Sequence, residues 1–135
     1  MTEFRQVTDQ VFVAPQISVD DVARAAAQGF VLIINNRPDG EAPDQTPAAE
    51  IAAAAEAAGL AYLWVPITGM PTRGQAEMVI EAVREASGPV LAYCRSGTRS
   101  INTWALGSAV TGDRSPADLV QLGAAAGYDL RPLLG

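Results

Sequence analysis

Phe30-Val31-Leu32-Ile33-Ile34 leaves no side of an extended chain for water. Alternate residues of a strand point to opposite faces, so a run that is apolar throughout needs a covering layer on each. Strands of that kind sit at the centre of parallel sheets flanked by helices. The remaining sequence supplies both neighbours and covers. Val11-Phe12-Val13-Ala14 reads as a short strand, with Gln16-Ile17 pairing beside it as a hairpin remnant. Ser18 with Asp21 three residues on resembles a capping box, and Val19 to Gln28 follows as a helix stopped by Gly29. The acidic Asn36 to Thr46 run, with its Pro and Gly, is a loop. Pro47 takes a first helical position, and Ala48 to Ala58 is an alanine-rich helix closed by Gly59.

Leu60 to Pro66 is the next strand, with Trp64 read as core. Thr72 and Gln75 form a capping box for a helix over Gln75 to Ala86, whose apolar stripe is Met78, Val79, Ala82 and Val83. Gly88-Pro89 bounds another apolar run, Val90-Leu91-Ala92-Tyr93, which stops at Cys94 and breaks into a tight loop. A helix through Ile101-Asn102-Thr103-Trp104-Ala105-Leu106 runs to about Val110 and ends at Thr111-Gly112. Ser115-Pro116 begins a last helix to about Ala126. Strands alternating with helices predict one domain over residues 1–135, a three-layer α/β/α fold on a mostly parallel central sheet. Ligands of such sheets sit beyond the carboxyl ends of the strands. Those ends are Asn36-Arg37, Pro66-Ile67-Thr68 and Cys94, so loops 37–46 and 67–74 are the predicted walls of a site.

Composition narrows the chemistry. The 135 residues include one cysteine, no histidine and nine basic residues, all arginine. Without histidine there is no Ser–His or Cys–His mechanism and no imidazole metal site. Without lysine there is no Schiff base and no lysine-bearing phosphate loop. No metal or cofactor is implied. A net charge of −6 argues against a nucleic-acid surface. No apolar run approaches the roughly eighteen residues of a membrane span, and the first residues lack a signal pattern, so a cytoplasmic protein is expected. The strong nucleophile left is Cys94, at the head of Arg95-Ser96-Gly97-Thr98-Arg99-Ser100. A loop entering a helix offers backbone N–H groups and the positive end of the helix dipole to an anion. Helix N-termini and nearby cations bring cysteine thiols from about 8.5 into the range of roughly 3.5–7.5. Cys94 is therefore expected to be a thiolate nucleophile over an anion cradle.

The residues now carry a resemblance. Cys-Arg-Ser-Gly-Thr-Arg is similar to the active-site loop of rhodanese sulfurtransferases. It also resembles the phosphate loop of cysteine-dependent phosphatases, whose arginine stands six positions after the cysteine; here Arg99 stands at five. From about Phe4 to Ala109 the chain resembles the bacterial phosphatase-like domain of β-lactamase-hydrolase-like proteins, also labelled a family of sulfur transferases. The matching stretches are Ile33 to Glu41, Val65 to Gly69 and Ala92 to Ser100. The resemblance implies a dual-specificity-phosphatase-like architecture with a rhodanese-like loop.

Arg95 and Arg99 are candidates to grip a sulfonate, sulfate or phosphate and to favour the thiolate, or one of them braces the loop. Ser96, Thr98 and Ser100 are candidate donors to the sulfur, with helix capping by Thr98 or Ser100 as the alternative. Asp39-Gly40 reads most simply as a turn. The resemblance makes Asn36, Arg37 and Asp39 candidates for a second wall. Similar phosphatases supply an aspartic acid from the loop that here reads Ile67 to Gly74, which has no carboxylate, although Asp39 or Glu41 could substitute. Their usual histidine before the cysteine is Tyr93. The leading expectation is a rhodanese-type sulfurtransferase. In it, Cys94 takes sulfane sulfur from thiosulfate or glutathione persulfide and passes it to a thiol or cyanide. The alternative is a phosphatase acting on a phosphate ester through a phosphocysteine. A non-catalytic anion or redox sensor is a third reading. The resemblance further implies a metallo-β-lactamase-like persulfide dioxygenase as a partner.

Overall fold

The computed structural model describes residues 2–134. Its elements run β1 (Arg5–Gln6), β2 (Val11–Ala14), α1 (Val19–Ala27), β3 (Leu32–Asn35), α2 (Ala48–Ala57), β4 (Ala61–Trp64), α3 (Arg73–Glu85), β5 (Val90–Tyr93), α4 (Thr98–Val110), α5 (Pro116–Ala125) and α6 (Arg131–Leu134). One sheet has the order β1-β2-β5-β3-β4, parallel throughout except for β1 against β2. This is the three-layer, mostly parallel α/β/α fold that the apolar runs demanded.

The two faces of β3 show why. Ile33 packs with Val22 and Ala25 of α1 and Ile51 and Ala55 of α2. Leu32 and Ile34 pack on the other side with Val79, Ile80 and Val83 of α3 and Ile101, Trp104 and Ala105 of α4. Each such large aliphatic side chain contributes about 1.5–3 kcal/mol when removed from water. Exposing either face would forfeit several of them at once.

Local signals set the helix starts. Both reciprocal bonds of a capping box are present at Ser18/Asp21 and at Thr72/Gln75. Pro47 stands one position earlier than the sequence predicts, as the N-cap of α2, which has no side-chain cap of its own. Gln16-Ile17 forms no strand; the antiparallel neighbour of β2 is Arg5–Gln6, a pair too short and polar to signal itself. β4 lies at the sheet edge, which leaves Trp64 42% exposed instead of in the core. Met78 is also exposed, and Ile80 takes its expected place on the buried stripe of α3.

The register brings Ala14, Tyr93, Asn35 and Trp64 abreast at the carboxyl ends of four parallel strands. The loops that follow them open on one edge of the sheet.

Candidate active site

Cys94 leaves the sheet immediately after β5 and is fully buried at the floor of that edge. Its N–H still donates to the Ala14 carbonyl at 3.3 Å, so the end of β2 fixes where the loop departs. Gly97 is the N-cap of α4 at φ +91°, in the left-handed region where a side chain is strained. A Cβ there would lie 2.2 Å from the Tyr128 hydroxyl oxygen, so glycine is required twice over. With that turn made, the Gly97 N–H donates to Cys94 Sγ at 3.1 Å. α4 starts at Thr98, three residues earlier than the sequence predicts, and no side chain caps it. Its first amides and dipole therefore serve the loop. Neither Thr98 nor Ser100 is the cap.

Arg99 makes the longest reach. Its Nη1 donates to Glu41 Oε2 at 2.9 Å and to the Ile67 carbonyl at 2.8 Å, and Nη2 donates to Glu41 Oε1 at 2.8 Å. A guanidinium carries five N–H groups. Three are spent on the protein. The Nε–H and the second Nη2–H remain, side by side on one edge, with the spacing that grips two oxygens of a tetrahedral anion. The Glu41 hydrogen bond leads in raising Arg99 above its ordinary value, burial opposes it, and the nearby Cys94 charge adds to it. Arg99 is a cation at any working pH.

Glu41 is the anchor of this arrangement. It also accepts from Arg37 Nε at 3.0 Å, and Arg37 Nη1 donates to Gln16 Oε1 at 3.0 Å. The Arg99 hydrogen bond, set against burial and helped by Arg37, lowers the Glu41 carboxyl from 4.5 to about 2. Arg37 is only 4% exposed, so it braces the wall from behind instead of facing a ligand. Asn36 is buried, its Nδ2 bonded to the Val65 carbonyl, and it too faces no solvent. Asp39 begins the expected turn, and its carboxylate accepts the Ala48 N–H at 2.8 Å, capping α2 from a distance. Burial pushes the Tyr93 phenol far above its ordinary value, so it stays neutral.

Arg95 and Ser96 are exposed at the rim. Among the described residues the Arg95 side chain has no hydrogen bond or ion pair, and Ser96 Oγ donates to Thr98 Oγ1 at 3.1 Å. Ser100 is fully buried, and its hydroxyl has no partner among the described residues. The structure thus brings Cys94, Gly97 and Arg99 together under loops 37–46 and 67–74, with Arg95, Ser96 and Thr98 outside. Sequence reasoning missed Gln16, Tyr128 and the Ile67 carbonyl, and it treated Glu41 as an acid instead of as the partner of Arg99. Their pairings span long stretches of chain, and only the charge alternation Arg37, Asp39, Glu41 hinted at one of them. No group of three or more Cys, Asp or Glu among the described residues could hold a metal ion.

The family of the phosphatase-like domain of beta-lactamase hydrolase-like proteins matches residues 3–111. The beta-lactamase hydrolase-like protein of Agrobacterium fabrum is 37% identical over 127 residues, 93% of this chain and 29% of that protein. This chain thus spans less than a third of such a relative. A candidate phosphatase of known structure from Neisseria meningitidis is 29% identical, with a TM-score of 0.84 over 97% of this chain and 93% of that one. A candidate phosphatase from Shewanella putrefaciens shares the fold at 18% identity, with a TM-score of 0.68 over 94% of this chain and 91% of that one. The chain belongs to the family of phosphatase-like domains of beta-lactamase hydrolase-like proteins.

Proposed function

We propose, from the site's geometry, that the domain is a cysteine-dependent group-transfer enzyme whose Cys94 thiolate accepts sulfane sulfur. The observation that carries this reading is that the two carboxylates placed to act as an acid, Asp39 and Glu41, are both engaged elsewhere. Glu41 is ionised and spent on two arginines, Asp39 is turned to the amide of Ala48, and the stretch 67–74 has no carboxylate. Breaking a phosphate ester of an ordinary alcohol needs an acid to protonate the leaving oxygen. Sulfur transfer from thiosulfate needs none, because sulfite departs as a stable anion.

The electron balance is direct. The Cys94 thiolate attacks the outer sulfur of thiosulfate, an S–S bond forms, the S–S bond of thiosulfate breaks, and sulfite leaves with that electron pair. Cys94 then carries a persulfide. A thiolate or cyanide attacks its terminal sulfur and regenerates Cys94. The free edge of Arg99 holds two sulfonate oxygens of the donor, and the Gly97 N–H together with the first amides of α4 stabilises the charge on sulfur. Glutathione persulfide reacts in the same way, with glutathione thiolate as the leaving group.

A cysteine-dependent phosphatase is the second reading, and the family description and the Neisseria protein favour it over sulfur transfer. There the thiolate takes a phosphoryl group and water later removes it. Intact mass separates the two. Reduced protein exposed to thiosulfate or glutathione persulfide should gain one sulfur atom, discharged by cyanide and absent from Cys94→Ser. If the mass is unchanged, and an aryl phosphate leaves a phosphoryl group trapped on Cys94, the phosphatase reading replaces ours.

A further inference from the structure

Tyr128 comes from the segment after α5, beyond the residues 3–111 that the family matches. Its hydroxyl donates to the Ser96 carbonyl at 3.0 Å. That carbonyl and the Gly97 N–H belong to one peptide group and point in opposite directions from it. The N–H end donates to Cys94 Sγ at 3.1 Å. One planar unit is thus gripped at both ends, by a phenol at its oxygen and by the nucleophile at its hydrogen.

We infer that Tyr128 is a positioning residue for the Cys94 nucleophile, acting through the Ser96–Gly97 peptide. Two effects follow from the geometry. The first is orientation. A peptide beside a glycine at positive φ turns over easily, and such a turn would remove the N–H from the sulfur. The phenol holds the carbonyl outward. The second is polarisation, since an O–H bound to the carbonyl oxygen makes the N–H of the same amide a stronger donor. Both favour the thiolate over the thiol.

Tyr128 is itself held. Its ring is nearly buried, and the Arg5 guanidinium lies 5.3 Å from the ring centroid. Its own N–H donates to the Gly123 carbonyl at 2.8 Å, which ties it to the end of α5. Burial leads in raising its phenol above the ordinary value, Arg5 opposes, and the Cys94 charge adds, so it remains a donor across the neutral range.

The test is the pH dependence of alkylation by iodoacetamide, which reports one site because Cys94 is the only cysteine. In Tyr128→Phe the midpoint should move to higher pH. Below it, alkylation should slow about two- to fivefold, with the high-pH plateau little changed. The Gly97 amide proton should also move upfield, which reads the N–H···S bond directly. If the profile is unchanged, with or without a lower Tm, Tyr128 is a structural brace only and the inference fails. Should Tyr128→Phe not fold, 3-fluorotyrosine at that position keeps the hydroxyl and strengthens it as a donor. The midpoint should then fall, and a rise or no change overturns the inference. The proposal rests on Cys94 being the nucleophile. A wild-type titration at the free-cysteine value of about 8.5 would sink that premise itself. A shifted wild type with an identical variant sinks only the role of Tyr128.

Discussion

Glu41 serves two arginines with one carboxylate, and its replacement separates positioning from proton transfer. In Glu41→Gln the shape survives, but Arg99 loses a bidentate anion and Arg37, 4% exposed, loses its ion partner. The guanidinium of Arg99 is then free to swing. Activity toward an anionic donor should fall about tenfold or more in kcat/KM. An unchanged value would show that Arg99 needs no anchor. Asp39→Asn tests the opposite idea. The amide oxygen can still accept the Ala48 N–H, so turnover should stay within about threefold of wild type. A loss of about a hundredfold or more would make Asp39 the general acid and restore the phosphatase mechanism. The Cys94 loop is legible in sequence because its residues are adjacent and their spacing carries the geometry. Glu41 as the partner of Arg99 is not, because 58 residues separate the two and only the sheet brings their loops together.

Helix starts and buried strands can be read from the chain because their causes are local. Ser18 and Asp21 satisfy each other's backbone N–H groups wherever the helix ends up. The early start of α4 has no such local cause. Glycine is its N-cap, and the turn at Gly97 is set by Cys94 and Tyr128 from outside the helix. Trp64 and Met78 lie outside the core for a related reason, since an apolar residue on an edge strand or a helix flank looks the same in sequence as one facing the core. Helix packing also positions the site, for α4 leads directly out of the cysteine loop. A Cβ at Gly107 would lie 2.5 Å from the Ala76 carbonyl oxygen and 2.9 Å from Ile80 Cβ, both on α3. Alanine gains about 1 kcal/mol over glycine in a helix interior. Against that, forcing two packed helices apart costs about 1–3 kcal/mol. Gly107→Ala should therefore lower the Tm. Gly74→Ala, in the first turn of α3 with nothing within 4 Å of its Cβ, should raise it. If both variants raise it, propensity outweighs packing and α3 and α4 are not in close contact.

Over the whole molecule, the charge inventory dictates how stability depends on acid. The chain has 15 carboxylate residues and nine arginines, with no histidine to titrate between pH 5 and 8. Acid sensitivity must then come from carboxyls that the fold has lowered. Glu41 is lowered to about 2, chiefly by the Arg99 hydrogen bond. Burial alone would raise Asp21, but the Ser18 N–H, Arg24, Thr2 and the Ser18 hydroxyl together lower it. A lowered carboxyl is more easily ionised in the folded chain than in the unfolded one. Its stabilisation is complete above its unfolded value, near 4.5 for Glu41, and is lost as pH falls toward 2. A shift of that size corresponds to at most about 3 kcal/mol, less the share that water screens at a carboxylate 26% exposed. Urea midpoints should fall steeply across that window. Glu41→Gln should be less stable than wild type at pH 7, and the gap should have largely closed by pH 2. There the folded wild-type side chain is about half protonated, and little of its charge contribution remains. If the gap between them is the same at pH 2 as at pH 7, the contribution of Glu41 is its shape and not its charge, and the electrostatic account of the clamp fails.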